Sequence, residues 1–170
     1  MTALFAFECF ADQDVFLFLR DHCKLPLSGR HSYGQGEVIN DVLVRKRALV
    51  GIVDEDPGSS HHPLRDQMEL LQQTPDLELR RRDKRYLFIL KPALEGCFLR
   101  CMKRVGLKPQ VAGDASELER RLANPEARHA NHQRFRDDLR KLYDEARERK
   151  IATFLTELDD KLRTVLPDDD

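Results

Sequence analysis

The stretch "ALVGIVDEDPGSS", Ala48 to Ser60, decides the fold. Its first six residues are continuously apolar and rich in β-branched side chains, the pattern of a strand buried on both faces. The run stops at three acids, Asp54, Glu55 and Asp56, and Pro57-Gly58 is turn chemistry. On an extended chain with period two, Asp54 and Asp56 share one side while Glu55 points away. Taken alone, such an Asp-x-Asp is ordinary, because acids often cap helices or start turns in loops that follow strands.

Working outward, apolar segments of strand and helix type alternate. Residues 3–8, "ALFAFE", read as a strand, and a helix capped by Asp12 or Gln13 follows, with Val15 to Leu19 apolar all round. "RHSY", Arg30 to Tyr33, reads as a short second strand. "EVINDVLVRKR" reads as a helix with Val38, Val42 and Leu43 on one side. Beyond the acids, "LRDQMELLQQ" places Leu64, Met68 and Leu71 at helical spacing. "YLFIL", Tyr86 to Leu90, is another buried strand, and "PALEGCFLRCMKRVG" opens a helix near Pro92. This alternation predicts an α/β fold: a mostly parallel, Rossmann-like sheet of about four strands flanked by helices. From Asp114 the chain lacks glycine and carries helical stripes, among them Leu118 and Leu122, Phe135 and Leu139, and Leu158 and Leu162. The expected organisation is an α/β domain over residues 1–112 and a helical C-terminal extension over 113–170, packed on that domain or on a partner.

Composition narrows the classes. The 170 residues are 41% hydrophobic and 35% charged with a net charge of −1, so bulk charge favours neither nucleic acid nor an acidic partner. Residues 1–112 hold 17 Lys+Arg against 15 Asp+Glu, and the remainder 12 against 15, too small an asymmetry to identify a ligand. No apolar run approaches the roughly 18 residues of a membrane helix, and the first residues do not read as a secretory leader. A cytoplasmic protein with reduced thiols is expected. Cys97 and Cys101 can share a helix face, but Cys9 and Cys23 are too widely spaced to complete a zinc pattern, so buried thiols are the better reading.

In a parallel sheet, functional groups gather at the carboxyl ends of strands. Glu8 closes the first strand, and Asp54 and Asp56 close the strand of the opening stretch. Carboxylates facing one another there repel, and coexist cheaply only with a cation or protons. An all-oxygen donor set suits Mg²⁺ or Mn²⁺.

The combination of "FECFAD" with "GIVDEDPG" resembles the TOPRIM domain of topoisomerases, bacterial primases, small nucleases and the overcoming-lysogenization-defect (OLD) nucleases. In that family a first strand ends in Glu, usually followed by Gly, and a later strand ends in Asp-x-Asp. The resemblance covers roughly residues 3–105 and rests on short motifs. It matches Glu8 and Asp12 to the first motif and Asp54 and Asp56 to the second. Its OLD-like branch adds an acid at the next helix start, where "LKPALEGCFL" offers Glu95. Cys9 stands where the family commonly has Gly, which bears on substrate placement because Gly permits a tight backbone approach.

The resemblance implies phosphodiester cleavage on nucleic acid, DNA foremost, by Mg²⁺ or Mn²⁺ held by Glu8, Asp54 and Asp56, with Glu95 as a further ligand. Lys91 and His61 would contact substrate, as would Asp12. "RKR" at Arg45 to Arg47 and "RRRDKR" at Arg80 to Arg85 precede strands and fall on the opposite sheet edge. No strand-passage domain accompanies Tyr33, Tyr86 or Tyr143, so a hydrolytic nuclease fits better than a topoisomerase. OLD-type relatives pair with an ATPase; no GxxxxGK[ST] loop occurs here, so that ATPase would be a separate chain, the resemblance pointing to a bacterial defence or DNA-processing system, and the helical stripes offer a surface for it or for self-association. Three readings compete with this one: a non-catalytic assembly module of the same fold, a thiol nucleophile at Cys9, and a phosphotransfer receiver, which would need paired acids after the first strand.

Overall fold

A computed structural model describes residues 3–55 and 62–166. Six strands form one mixed sheet: β1 (Ala3–Phe7), β2 (Leu27–His31), β3 (Val50–Asp54), β4 (Glu69–Gln73), β5 (Leu77–Arg82) and β6 (Arg85–Leu90), in the order β2-β1-β3-β6-β5-β4. The pairings β1–β2, β1–β3 and β3–β6 are parallel, whereas β5 runs antiparallel to both β6 and β4. The protein is an α/β protein with a mostly parallel sheet, larger by two strands than the sequence pattern suggests.

The register explains the layers. Phe5 and Phe7 of β1, Val50 and Ile52 of β3, and Phe88 and Leu90 of β6 face one large core. That core is closed by α1 (Phe10–Asp21) and α3 (Leu94–Val105). Ala6, Val53, Leu87 and Ile89 face the other side, against α2 (Gln35–Ile39), which continues as a π-helical stretch through Asn40–Val44. The contact is close at Gly51, where a Cβ would sit 2.8 Å from Val38 and 2.9 Å from Val42. Only glycine lets α2 lie that near to β3.

The C-terminal residues form α4 (Ala115–Ala123), α5 (Arg128–Arg149) and α6 (Phe154–Val165). Leu118, Phe135, Leu139, Leu142, Phe154, Leu158 and Leu162 are all buried in the same core as α1 and α3. The stripes offered as a partner surface are therefore covered within this chain. One tie between layers is ionic: Asp14 of α1 meets His132 of α5 and receives Arg136 Nη1 at 3.0 Å.

Three local expectations are corrected. The segment from Leu64 to Gln73 is not a helix: a single 3-10 turn over Arg65–Gln67 leads into β4. The pairing of β4 with β5, and Arg80 donating to the Arg65 and Met68 carbonyls, satisfy this backbone where helical spacing alone does not. "RRRDKR" is a hairpin, with Arg80 to Arg82 in β5, Asp83 left-handed at the turn (φ 56°) and Arg85 opening β6. Its tip lies on the edge opposite the strand carboxyl ends, as the sequence order required. Finally, α1 starts earlier than expected: Cys9, not Asp12 or Gln13, is its N-cap.

Among the described residues no helix is long and apolar enough to cross a membrane.

Candidate active site at the strand carboxyl edge

From β1 the chain goes to β2 on one side, while β3 lies on the other, so the strand order reverses between β1 and β3. A crevice outside the carboxyl ends at such a point is where open α/β sheets bind ligands. Glu8 follows β1 and Asp54 ends β3, the two neighbours at this reversal. The Asp54 N–H donates to Glu8 Oε1 at 2.9 Å, joining residues 46 apart in sequence.

Each acid is held by backbone. Asp54 lies on the same strand face as Val50 and Ile52, which directs it toward α3, and its Oδ1 accepts the Leu94 N–H at 2.8 Å. The N-cap of α3, Ala93, gives no side-chain cap, so Asp54 supplies a carboxylate to the positive end of that helix from another strand. Gln35 Nε2 donates to the Asp54 carbonyl at 2.7 Å. The neighbouring Glu55 faces the other way, 3.9 Å from Arg65.

Asp12 lies beneath, fully buried, with Oδ2 accepting the Glu8 N–H at 3.4 Å and Oδ1 without a hydrogen-bond partner among the described residues. Burial, then the charges of Asp54 and Glu8, hold its pKa well above the ordinary carboxylate range. Cys9 has extended backbone (φ −139°, ψ 175°), a conformation open to any residue, so glycine is not required there. Its Sγ accepts the Asp12 N–H at 3.5 Å. Burial and the nearby Asp12 push the thiol's pKa up strongly, opposite to what a nucleophile needs.

These groups open onto a cleft of about 630 Å³, whose polar walls include Glu8, Asp54, Gln35 and Glu95. Burial raises the Glu95 pKa, and Glu119 adds a smaller push in the same direction. Glu119 and Leu122, on α4, form the far wall. Glu119 carries no sequence signal of its own, because only tertiary packing brings α4 over the strand ends.

Lys91 follows β6 on this edge but pairs with buried Glu78, 3.3 Å away, alongside Arg65 and Arg80, and it is not among the cleft-lining residues. Asp56 and His61 lie outside the described residues. Among the described residues, the one trio of possible metal ligands within 4.8 Å of one another is Asp76, Cys97 and Cys101. Asp76 there is already held by Arg104 and Arg100, at 2.5 and 3.0 Å. Glu8, Asp54 and Glu95 do not form a trio at that spacing.

The arrangement can concentrate negative charge at the mouths of two helix N-termini, α1 and α3, where its acids offer oxygen donors beside the Cys9 thiol. Comparison with known proteins adds no name. No protein-family model, curated protein or solved structure matches this chain.

Proposed function

We propose that this chain is a TOPRIM-like, Mg²⁺- or Mn²⁺-dependent nuclease-type protein acting on nucleic-acid phosphodiesters. One observation carries the reading: Glu8 and Asp54, on adjacent parallel strands at the reversal of strand order, are linked by the Asp54 N–H to Glu8 bond. A hard divalent cation fits the donor set. The acids are oxygen ligands, and buried Asp12 adds a carboxylate oxygen with no hydrogen bond among the described residues. Glu8, Asp54 and Asp56 would hold the ion, with Glu95 on the α3 side of the cleft. The bound cation would supply charge stabilisation at the phosphate and an activated water.

The chain's own residues do the rest. The Leu94 N–H and the Asp54 N–H fix one oxygen of each key carboxylate, so both acids are oriented before a ligand arrives. Gln35 holds the end of β3, and α4 forms one wall of the cleft. DNA is the preferred substrate on this reading, and an ATPase partner would be a separate chain.

A second reading, a non-catalytic assembly subunit of the same fold, draws on the wider spacing of Glu8, Asp54 and Glu95. Cleavage separates the two. The purified chain, with end-labelled DNA and RNA, should cut in Mg²⁺ or Mn²⁺ and not in EDTA. E8Q and D54N should each lose about 100-fold or more of that rate with an unchanged fold by circular dichroism. No cleavage with either metal, or equal cleavage by both variants, removes the nuclease reading.

A further inference from the structure

The acid cleft has a second, non-acidic border. Phe10, the first residue of α1, is 45% exposed, and Tyr33, just beyond β2, is 81% exposed. His31 lies against both, with ring centroids 5.0 Å from Phe10 and 4.4 Å from Tyr33. Its Nε2 donates to the Glu8 carbonyl at 3.0 Å, which ties this row of rings to the residue that begins the acid site. The guanidinium of Arg128, from the first turn of α5, sits 3.5 Å over the Phe10 ring.

Phe10 also divides two cavities. It lines the acid cleft on one side and, on the other, a trough of about 400 Å³ walled by Arg128, His129 and Arg136. In the trough Arg136 is spent on Asp14, but Arg128 and His129 belong to the N-terminus of a 22-residue helix. The sequence of chemistry across this border is therefore carboxylates, exposed rings, then arginine and histidine. Isolated exposed aromatics are common. Two of them joined through a third, edge-on at Phe10 and tilted at Tyr33, fixed to the acid site and flanked by Arg128, match a surface that takes flat rings and phosphate together.

We propose that Phe10, His31 and Tyr33, with Arg128 and His129, form a subsite for an unpaired nucleotide, its base on the rings and the next phosphate at Arg128 and His129. The proposal rests on the nuclease reading only for what happens at the neighbouring acids. A duplex keeps its base faces stacked internally, so the subsite selects single strands, flaps or ends over continuous duplex. It also supplies the cationic contact that Lys91 and the two basic runs do not, the first paired with Glu78 and the others on the opposite edge.

The test is fluorescence-anisotropy titration in EDTA, which separates binding from metal and cleavage. The probes are single-stranded DNA and RNA oligonucleotides and a blunt hairpin duplex of the same composition. Single strands should bind at least about tenfold tighter than duplex, and F10A and Y33A should each weaken them by about tenfold or more. R128A/H129A should lower the slope of log affinity against log salt by about one. Thermal melts check folding, and Y33A is decisive if F10A is unstable, since its ring is largely in solvent. Equal affinity for duplex, full binding by the F10A/Y33A double variant, equal competition by an acidic phosphopeptide, or no binding each overturns the subsite. Loss of cleavage in E8Q with this binding pattern intact supports both readings; the same pattern with no cleavage by wild type keeps the subsite and removes the nuclease.

Discussion

Asp76 and Asp12 are both buried acids near the same sheet edge, yet they are treated in opposite ways. Asp76 precedes β5 and is 2% exposed; Arg104 reaches both its oxygens and Arg100 adds a third contact. Burial pushes its pKa up, but the Arg104 hydrogen bond and charge prevail and hold it below the ordinary range. Asp12 has no such cation, and burial with Asp54 and Glu8 drives its pKa the other way. Asp14, two residues on, is intermediate, with one permanent partner in Arg136 and one titratable partner in His132. Away from the cleft this chain gives buried Asp41, Asp76, Glu78 and Asp159 arginine partners, and gives Asp138 two backbone N–H groups. At the strand-end cleft it accumulates acids, which a proton or a metal ion can relieve.

The largest effect should come from breaking the compensated acid. D76A strands Arg104 and Arg100, and should cost about 3 kcal/mol in urea unfolding, the low end for a broken buried pair because both arginines keep partial solvent access. The sign with pH follows from the lowered folded pKa. The Asp76 contribution is complete above the ordinary carboxylate value and is lost as pH falls through the lower folded value, so D76A should flatten the acid limb of stability. A D76A protein as stable as wild type would erase the contrast.

Next in size is metal. With a site dissociation constant of about 1 mM, about 10 mM Mg²⁺ should stabilise the protein by about 1.4 kcal/mol, read as a rise in melting temperature. D54N should abolish that rise; a rise that persists in D54N places the ion elsewhere.

Smaller still, D12N should stabilise the metal-free protein by about 1 kcal/mol, because an amide keeps the Glu8 N–H bond and removes the cost of either charging or protonating a buried acid beside Asp54 and Glu8. It should also shrink the Mg²⁺ response. Destabilisation of the metal-free protein by D12N would mean that Asp12 is already compensated as Asp76 is.

The smallest expected effect concerns the intermediate acid. His132 Nδ1 meets Asp14, and its Nε2 lies 3.0 Å from the Leu122 carbonyl; acceptors at both ring nitrogens favour the doubly protonated form. The Asp14 hydrogen bond raises its pKa against burial. Its stabilising contribution is therefore full below about 6.5 and declines as pH rises through the raised folded value. H132Q should remove that decline, measured as urea midpoints from about pH 6 to pH 9. An unchanged slope would assign the alkaline loss to another group.

The three strands that read well, β1, β3 and β6, are buried, and their apolar runs report that directly. β4 and β5 leave weak marks in the sequence for different reasons, β5 as an interior strand and β4 as the sheet edge. Leu77 and Leu79 alternate with Glu78 and Arg80, but charge dominates the segment, and β4 keeps Leu70 and Leu71 exposed at 46% and 40%. An edge strand is held by backbone pairing, which leaves little mark on side-chain pattern. At the site, Glu8 and Asp54 were legible because each ends an apolar run. Glu95 was pointed to only by the family resemblance, and it lies in the cleft wall.

The sequence alone determined that this chain is α/β, that its acids close two buried strands, and that its C-terminal third is helical. It did so because burial on both faces and helical stripes are periodic local patterns. Tertiary structure alone decided the order of the strands, the 2.9 Å bond from Asp54 to Glu8, and the placing of Glu119 and Arg128 on either side of Phe10. Those depend on which surfaces meet across 46 or more than 100 residues, and no local period records that.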